Sequence, residues 1–522
     1  MRSVSNTTGN FVADAVAASV IAWSPQQSGF LDWAYNGVGS CVLIAVAGAG
    51  KTTVLLTAGE KMKGQVAYVA YNKDIVEETK LKLKERGVDW KKMQAGTAHS
   101  FGFSALRKML GDVKVDGYKV DGILDSMLTD MDYKHVHTLD KYKSNVKQLV
   151  SLAKQGIFGI GNNDHADESA WYALAEHHDI FDEFDEVQPP TERIIKWAQE
   201  VLHISNGNDE VIDYDDMIYL PLLYKARFWQ FDVVMIDEAQ DTNRARRALV
   251  RAMVKRGGRV IAVGDPHQAI YGFTGADSDA LELIKQDFNA IELPLTVSYR
   301  CPQKVVKFAQ QWVSHIEAAP TAPEGNVASI TMEDFLKRND LTKGAAVLSR
   351  TNKPNVELAF SLIRRNIPCR IEGRDIAKTI VKLMTRWKVK TLDALEDRMA
   401  KYLAKQTTKL LAAKKEVQLA RLEDTIETVK VIIDQCRADK QHDIQDAVNR
   451  VTALFGEDIK DVLVLSSIHK SKGREWETVF WLDRIGTCPS KWARQKWQQE
   501  QEKNLMYVAA TRSKSNLIEI MI

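Results

Sequence analysis

The chain has 522 residues, 45% hydrophobic and 27% charged, with a formal net charge of +2. That length accommodates three or four domains, and the near-neutral balance excludes a global basic signature, so any affinity for nucleic acid must come from local patches. The five cysteines, Cys41, Cys301, Cys369, Cys436 and Cys488, are scattered and form no C-x-x-C pair, which argues against a zinc or disulfide framework and for a reducing compartment. No apolar run reaches the roughly 18 residues that suggest a membrane span. The stretch 11–23 carries Asp14 and has only Arg2 before it, which is not a secretory signal. A cytoplasmic, non-membrane, non-secreted protein is expected.

Residues 1 to 22 read as a polar start followed by a small-residue helix. Ser24 and Pro25 then suit a helix start. Gln27 lies on its first turn, and its amide both donates and accepts, as the edge of adenine requires; a solvated polar residue in a first helical turn fits equally. Cys41 to Val46 reads as a buried strand that breaks at Gly48-Ala49-Gly50, after which Lys51-Thr52-Thr53 opens a helix. Glycines there let backbone N–H groups close around phosphate oxygens at the positive end of the new helix. Lys51 can reach the β- and γ-phosphates and the Thr52 hydroxyl can ligate Mg²⁺. Ala45 stands where the general phosphate-loop pattern has its first glycine.

A second strand (Gln65 to Tyr71), a helix to about Arg86 and a third unit from Ala95 to Phe101 indicate a parallel α/β sheet. Ligands sit at the carboxyl ends of such strands, where Thr97 and His99 fall. From about Ala105 to Gly207 the texture is helical, and Asp164 to Glu192 holds many carboxylates and no Lys or Arg, as a face turned away from nucleic acid would. The sheet is expected to resume near Asp213 to Met217. Phe231 to Ile236 is an apolar strand ending in Asp237 and Glu238: the first can hold a Mg²⁺ shell, the second can orient and deprotonate a water. After the strand Arg259 to Val263, Gln268 is placed to sense a γ-phosphate, and the loop aromatics Tyr271 and Phe273 could stack on bases. A further strand, Leu293 to Ser298, leads into Tyr299-Arg300-Cys301.

A second sheet is expected from Ala345 to Ser349 and Ile367 to Ile371, interrupted by a strongly basic stretch (376 to about 415) and helical periodicity to Phe455. It returns at Asp461 to Ser467, His469-Lys470-Ser471-Lys472-Gly473-Arg474-Glu475, Thr478 to Leu482 and Leu505 to Arg512.

In this order, A-G-A-G-K-T-T, V-V-M-I-D-E-A-Q-D, V-G-D-P-H-Q-A-I-Y-G-F-T-G-A-D, S-Y-R-C, H-x-x-K-G-x-E and Y-V-A-A-T-R make a chain that resembles the UvrD/Rep/PcrA-like superfamily 1A DNA helicases from Gln27 to Arg512. The wording D-P-H-Q with Y-N-K is similar to the F-box DNA helicase branch and its viral or bacterial relatives. The resemblance implies an α/β fold: two RecA-like parallel-sheet motor domains with two inserted, mainly helical accessory domains. The first motor domain would take residues 1–105 and 208–290 and its insertion 106–207. The second would take 291–375 and 456–522, with the short basic insertion at 376–455.

It further implies ATP with Mg²⁺ between the two sheets, held by Gln27, Gly48, Ala49, Gly50, Lys51, Thr52, Thr53, Asp237, Tyr299 stacking on adenine and Glu475 on the ribose. Arg300 and Arg512 would be arginine fingers acting with Lys51, Glu238 and Gln268. A single DNA strand, or its junction with duplex, would meet Tyr71, Thr97, His99, Tyr271 and Phe273 on one side and Arg350 and His469 on the other, with 3′→5′ movement. Replication or repair proteins are the expected protein partners. Thr274 departs from the family's arginine, and Thr53 from the arginine that often follows G-K-T. Two other readings stay open: a DNA-stimulated ATPase that displaces proteins with little unwinding, and a P-loop kinase, against which the two distant arginine motifs count.

Overall fold

The computed structural model describes residues 22–521 except 71, 131–132, 162–166, 179, 181–190, 271–276, 278, 339–340, 342–343, 366, 413–415, 455–461, 492 and 494–495. The first helix, α1 (Pro25–Asn36), begins in a reciprocal capping box: the Ser24 hydroxyl accepts the Gln27 N–H at 3.1 Å and Gln27 Oε1 accepts the Ser24 N–H at 3.0 Å. Six strands follow: β1 (Cys41–Ala45), β2 (Val66–Ala70), β3 (Met93–Thr97), β4 (Phe231–Ile236), β5 (Val254–Gly264) and β6 (Ile291–Leu295). They align as β3-β2-β4-β5-β1-β6, every pair parallel. Helices cover both faces, so β1 and β2 are nearly unbroken apolar runs rather than alternating ones.

The second sheet contains β7 (Asn326–Thr331), β8 (Ala345–Ser349), β9 (Cys369–Ile371), β10 (Leu463–Ser467), β11 (Trp476–Leu482) and β12 (Ser513–Met521), ordered β7-β12-β11-β8-β10-β9 and parallel throughout. Strands β7 and β12 lie beyond the sequence expectation. The outer one, β7, is partly exposed along its length, and β12 opens on the polar run Ser513-Lys514-Ser515-Asn516, so neither carries a strong apolar signal.

Residues of both sheets share one apolar core: Leu43, Tyr68 and Ile261 of the first belong to the same buried cluster as Leu348, Val479 and Trp481 of the second. The helices between β3 and β4 build a separate core around Leu124, Tyr142, Trp171 and Val201. The helices between β9 and β10 instead bury Ile380, Met399, Ile426 and Val451 against Val347, Leu463 and Phe480 of the second sheet, which fixes their apolar side on that lobe.

The stretch Asp213 to Met217 does not resume the sheet. Val211–Ile212 makes a two-residue parallel ladder with Lys114–Val115, and Asp216 opens the helix Asp216–Leu223. Its aspartates serve a buried charge cluster instead. Lys154 Nζ lies 2.6 Å from Asp213 and 2.7 Å from Asp216, and Lys119 Nζ lies 2.7 Å from Asp216. Lys154 is 0% exposed, so removing its charge takes the paired cation from Asp213 and leaves Asp216 to Lys119 in a buried surround. Lys154→Met is expected to cost about 3–5 kcal/mol, read as a fall in the urea midpoint of the inserted helical domain; an unchanged midpoint would contradict this account.

Candidate active site

The phosphate loop runs from β1 into α2 (Lys51–Lys61). Gly50 caps α2 at φ +77° with no side-chain cap, leaving the first helical amides to the loop. Gly48, at φ +73°, lies so close to the crossing to the second lobe that a Cβ there would stand 2.5 Å from Arg300 Cβ and 2.8 Å from Ser298 Oγ. The Tyr299 N–H donates to Gly48 O at 2.8 Å, and the Tyr299 side chain is 45% exposed beside the loop. Thr53 is half-buried on the first turn of α2. This cradle of left-handed glycines, free amides and a lysine fits the phosphates of a nucleotide.

Gln27 Nε2 donates to Ala49 O at 3.1 Å, while Gln27 Oε1 takes the Ser24 N–H. One amide hydrogen and one lone pair are left for a base edge. The residue therefore also tethers the loop, which its position in a first helical turn did not reveal.

The strand end of β4 brings the two carboxylates in. The Thr52 hydroxyl lies 3.1 Å from Asp237 Oδ2, which also accepts from the buried Tyr68 hydroxyl. Lys51 Nζ lies 3.4 Å from Glu238. Glu238 adopts φ +50°, a left-handed conformation uncommon outside glycine, and this turns its carboxylate away from Asp237 toward Lys51 and Gln240 Nε2, the latter at 2.6 Å. Burial pushes the pKa of both groups up, but the outcomes diverge. Asp237 ends above its usual range, through burial and then the negative charge of Glu238. For Glu238 the nearby Lys51 and Lys472 outweigh burial and hold it down.

Gln268 occupies a short turn, Pro266–Gln268, and donates to Asp265 Oδ2 at 2.7 Å. Its Oε1 accepts from Arg512 at 3.2 Å, across the two lobes. Arg512 is 1% exposed, and its other acceptors are Val508 O (2.9 Å), Arg474 O (3.3 Å) and Thr511 Oγ1 (3.1 Å). All are neutral. Burial, then the neighbouring Arg300, lowers its pKa to about 10, so it stays cationic at neutral pH. Arg300 is held by Glu475 at 2.5 Å, and Glu475, expected on a ribose, lies below its ordinary value: burial raises it, and Arg300 and Lys514 more than reverse that.

Several residues at this seam had no assigned role in the sequence reading. Lys472 Nζ lies 2.7 Å from Asp241 and 2.6 Å from Gln268 O, joining the lobes through a buried pair. Gln240 fixes Glu238 and accepts the Asp265 N–H at 3.0 Å. Lys472, Asp241 and Gln240 sit inside the motifs themselves, so their positions were visible although their partners were not.

The expected DNA residues are less united. Tyr71, Tyr271, Phe273 and the departing Thr274 lie outside the described residues. Thr97 caps the helix Ala98–Leu110, accepting the Ser100 N–H at 3.1 Å. His99 is half-buried on that helix, and burial, then Arg246, lowers it to about 4, so it is neutral at pH 7. His469 is half-buried on the turn after β10. Arg350, expected at the DNA, is already paired: its guanidinium forks onto the buried Glu502 at 2.5–3.1 Å, which also accepts the Ser490 N–H at 2.9 Å. A bidentate pair of this kind commits the arginine's charge inside the protein.

Comparison with known proteins bears on this geometry directly. The UvrD/REP helicase N-terminal domain family matches residues 32–289, and the UvrD-like helicase C-terminal domain family matches residues 373–522. The chain belongs to the UvrD/Rep helicase family. Its two parallel sheets are the RecA-like folds of that family. Among curated relatives, the ATP-dependent DNA helicase Rep of Buchnera aphidicola (subsp. Schizaphis graminum) is 25% identical over 381 residues, 63% of this chain and 54% of that protein. A probable DNA helicase II homolog of Mycoplasma capricolum is 22% identical over 377 residues, 63% and 49% of the two chains. ATP-dependent DNA helicase PcrA of Leuconostoc citreum is 28% identical over 193 residues, 31% and 26%. The chain spans about half the length of the first two of these relatives. Among the described residues, no helix is long and apolar enough to cross a membrane.

Proposed function

We propose that this chain is an ATP-dependent DNA translocase and helicase that moves 3′→5′ along single-stranded DNA and opens duplex at a junction. The observation that carries the reading is Arg512. A buried guanidinium whose hydrogen-bond acceptors among the described residues are all neutral is costly unless an anion completes it. It comes from the second lobe and touches Gln268 of the first, in the seam that also holds Lys51 and Glu238.

Lys51 and the loop amides bind the phosphates, and Thr52 and Asp237 would hold Mg²⁺. Bound there, Mg²⁺ supplies charge neutralisation on the phosphate oxygens. Glu238 accepts the proton of the attacking water; Lys51, now paired with it, would turn to the nucleotide and thereby raise its basicity. Arg300 and Arg512 stabilise charge developing on the transferred phosphoryl group, and Gln268 passes the state of that group to the loop behind it. Gln27 and Tyr299 hold the base, Glu475 the ribose. Movement of the lobes around Arg512 would convert hydrolysis into stepping, with Thr97, His99 and His469 facing the strand and Arg350 buttressing the second lobe from behind. The first motor domain takes 1–105 and 208–290, with 106–207 as its insertion, and the second takes 291–375 and 456–522, with 376–455 inserted. We place the protein in the cytoplasm, with replication or repair proteins as partners; its five cysteines are all buried free thiols, as a reducing compartment allows.

Steady-state ATP hydrolysis is expected to rise at least about tenfold when single-stranded DNA is added, a change worth ~1.4 kcal/mol in the barrier. Turnover indifferent to DNA would sink the translocase reading. Displacement of a strand from a 3′-tailed but not a 5′-tailed duplex would establish polarity. Stimulated hydrolysis without displacement would favour a protein-displacing ATPase.

A further inference from the structure

We propose that Tyr507 and Asn504, three residues apart on α3 (Lys496–Ala510), are positioning residues that register the phosphate loop and the Gln268 turn against the second lobe. This rests on reading the cleft as a site of ATP hydrolysis. Residues three apart share a helix face, and here that face meets two loops of the first lobe. The fully buried Tyr507 hydroxyl accepts the Ala47 N–H at 2.9 Å, at the point where β1 turns into the phosphate loop. Its ring meets His267 edge-on, with centroids 6.3 Å apart. Asn504 Nδ2 donates to Ala269 O at 3.0 Å and Pro266 O at 3.3 Å, bracketing the turn that carries Gln268. One turn beyond Tyr507, Thr511 O accepts from Arg300 at 3.5 Å, and Arg512 follows directly.

A single rigid helix therefore touches the loop that binds phosphate, the turn that senses it and the arginine before the second lobe, and it ends at the arginine that completes the site. The hydrogen bonds of Tyr507 and Asn504 among the described residues are all to neutral backbone groups. They fix distance and angle, and they exist only while the lobes are together. Without the Tyr507 hydroxyl, the Ala47 N–H is left unpaired in a dry seam, and the closed arrangement loses that bond while each lobe's own fold keeps all of its contacts.

The test is Tyr507→Phe, which removes one oxygen and keeps the ring. The expected result is a kcat for DNA-stimulated ATP hydrolysis lowered about tenfold, with nucleotide affinity within about twofold of wild type and a melting temperature lowered by no more than about 4 °C. Tyr507→Phe combined with Arg512→Ala is expected to be no slower than Arg512→Ala alone, because the hydroxyl acts by placing that arginine against the loop. Asn504→Ala, which creates little cavity, is expected to lower kcat about threefold and serves if the Phe variant misfolds. Wild-type kcat in both variants, a loss confined to KM, a lowered melting temperature with kcat intact, or a fully additive double variant would each overturn the proposal. Absence of hydrolysis in the wild-type protein would instead overturn the hydrolysis reading on which it stands.

Discussion

Glu238→Gln is expected to lower the ATP turnover number about 10²–10⁴-fold while leaving ATP binding within a few-fold of wild type. The amide keeps the size of the side chain and can still accept from Gln240, so the strand end and its left-handed turn persist. It cannot take a proton from water. The charge environment adds a second, sharper expectation. Lys51 and Lys472 hold Glu238 well below the usual carboxylate range against the opposing effect of burial, so the carboxylate is already ionised throughout the neutral range. A group with a depressed folded-state pKa loses its charge only as pH falls through that depressed value, so the wild-type kcat/KM, which reports the nucleotide-free protein, should show no acid limb from Glu238 between pH 6 and 8. Single-turnover hydrolysis with a fluorescent nucleotide titration in parallel separates the two effects. A Gln variant that still turns over at one-tenth of the wild-type rate or better would remove Glu238 from the role of base.

Arg512→Leu is expected to be as damaging to catalysis, by about 10³–10⁵-fold, and benign or favourable for stability. The two halves of this prediction have one cause. The guanidinium is buried among carbonyl, amide and hydroxyl oxygens, with no carboxylate hydrogen-bonded to it among the described residues; Arg300 is a like charge nearby and Glu238 a weaker opposite one. Replacing a buried charge that lacks a bonded counter-ion by an aliphatic side chain removes a desolvation cost. If Arg512 were there to hold the lobes together, the Leu variant would melt lower and lose activity only in proportion. Its turnover and its thermal midpoint, measured on the same preparation, therefore distinguish a catalytic cation from a structural one, and a lowered midpoint with most activity retained would contradict the assignment.

Much of this arrangement was legible in the sequence because its chemistry depends on local pattern. Gly48, Gly50, Lys51 and Thr52 lie within five positions, and Asp237 and Glu238 end an apolar run that could only be a buried strand. What was not legible depends on where the chain returns. Lys472 and Asp241 stand 231 positions apart and meet as a pair only when the sheets face each other. Nothing near Arg350 in sequence announces its partner Glu502, 152 positions away. Asp213 and Asp216 read as a strand approach because the lysines that need them lie on other helices. Strand β12 was missed for the opposite reason: its neighbours β7 and β11 supply pairing that its own polar start does not advertise.

The shared apolar core sets a limit on how this molecule can move and fail. Since Leu43 and Ile261 belong to one buried cluster with Leu348 and Trp481, a wide swing of the lobes would have to wet hydrocarbon as well as break polar contacts. Such opening carries a heat-capacity cost and grows easier on cooling, as apolar hydration does. The helical insertion between β3 and β4, with a core of its own, has no such obligation and can melt as a separate unit. Temperature therefore acts on lobe opening through the hydrophobic seam and on the insertion through its own stability.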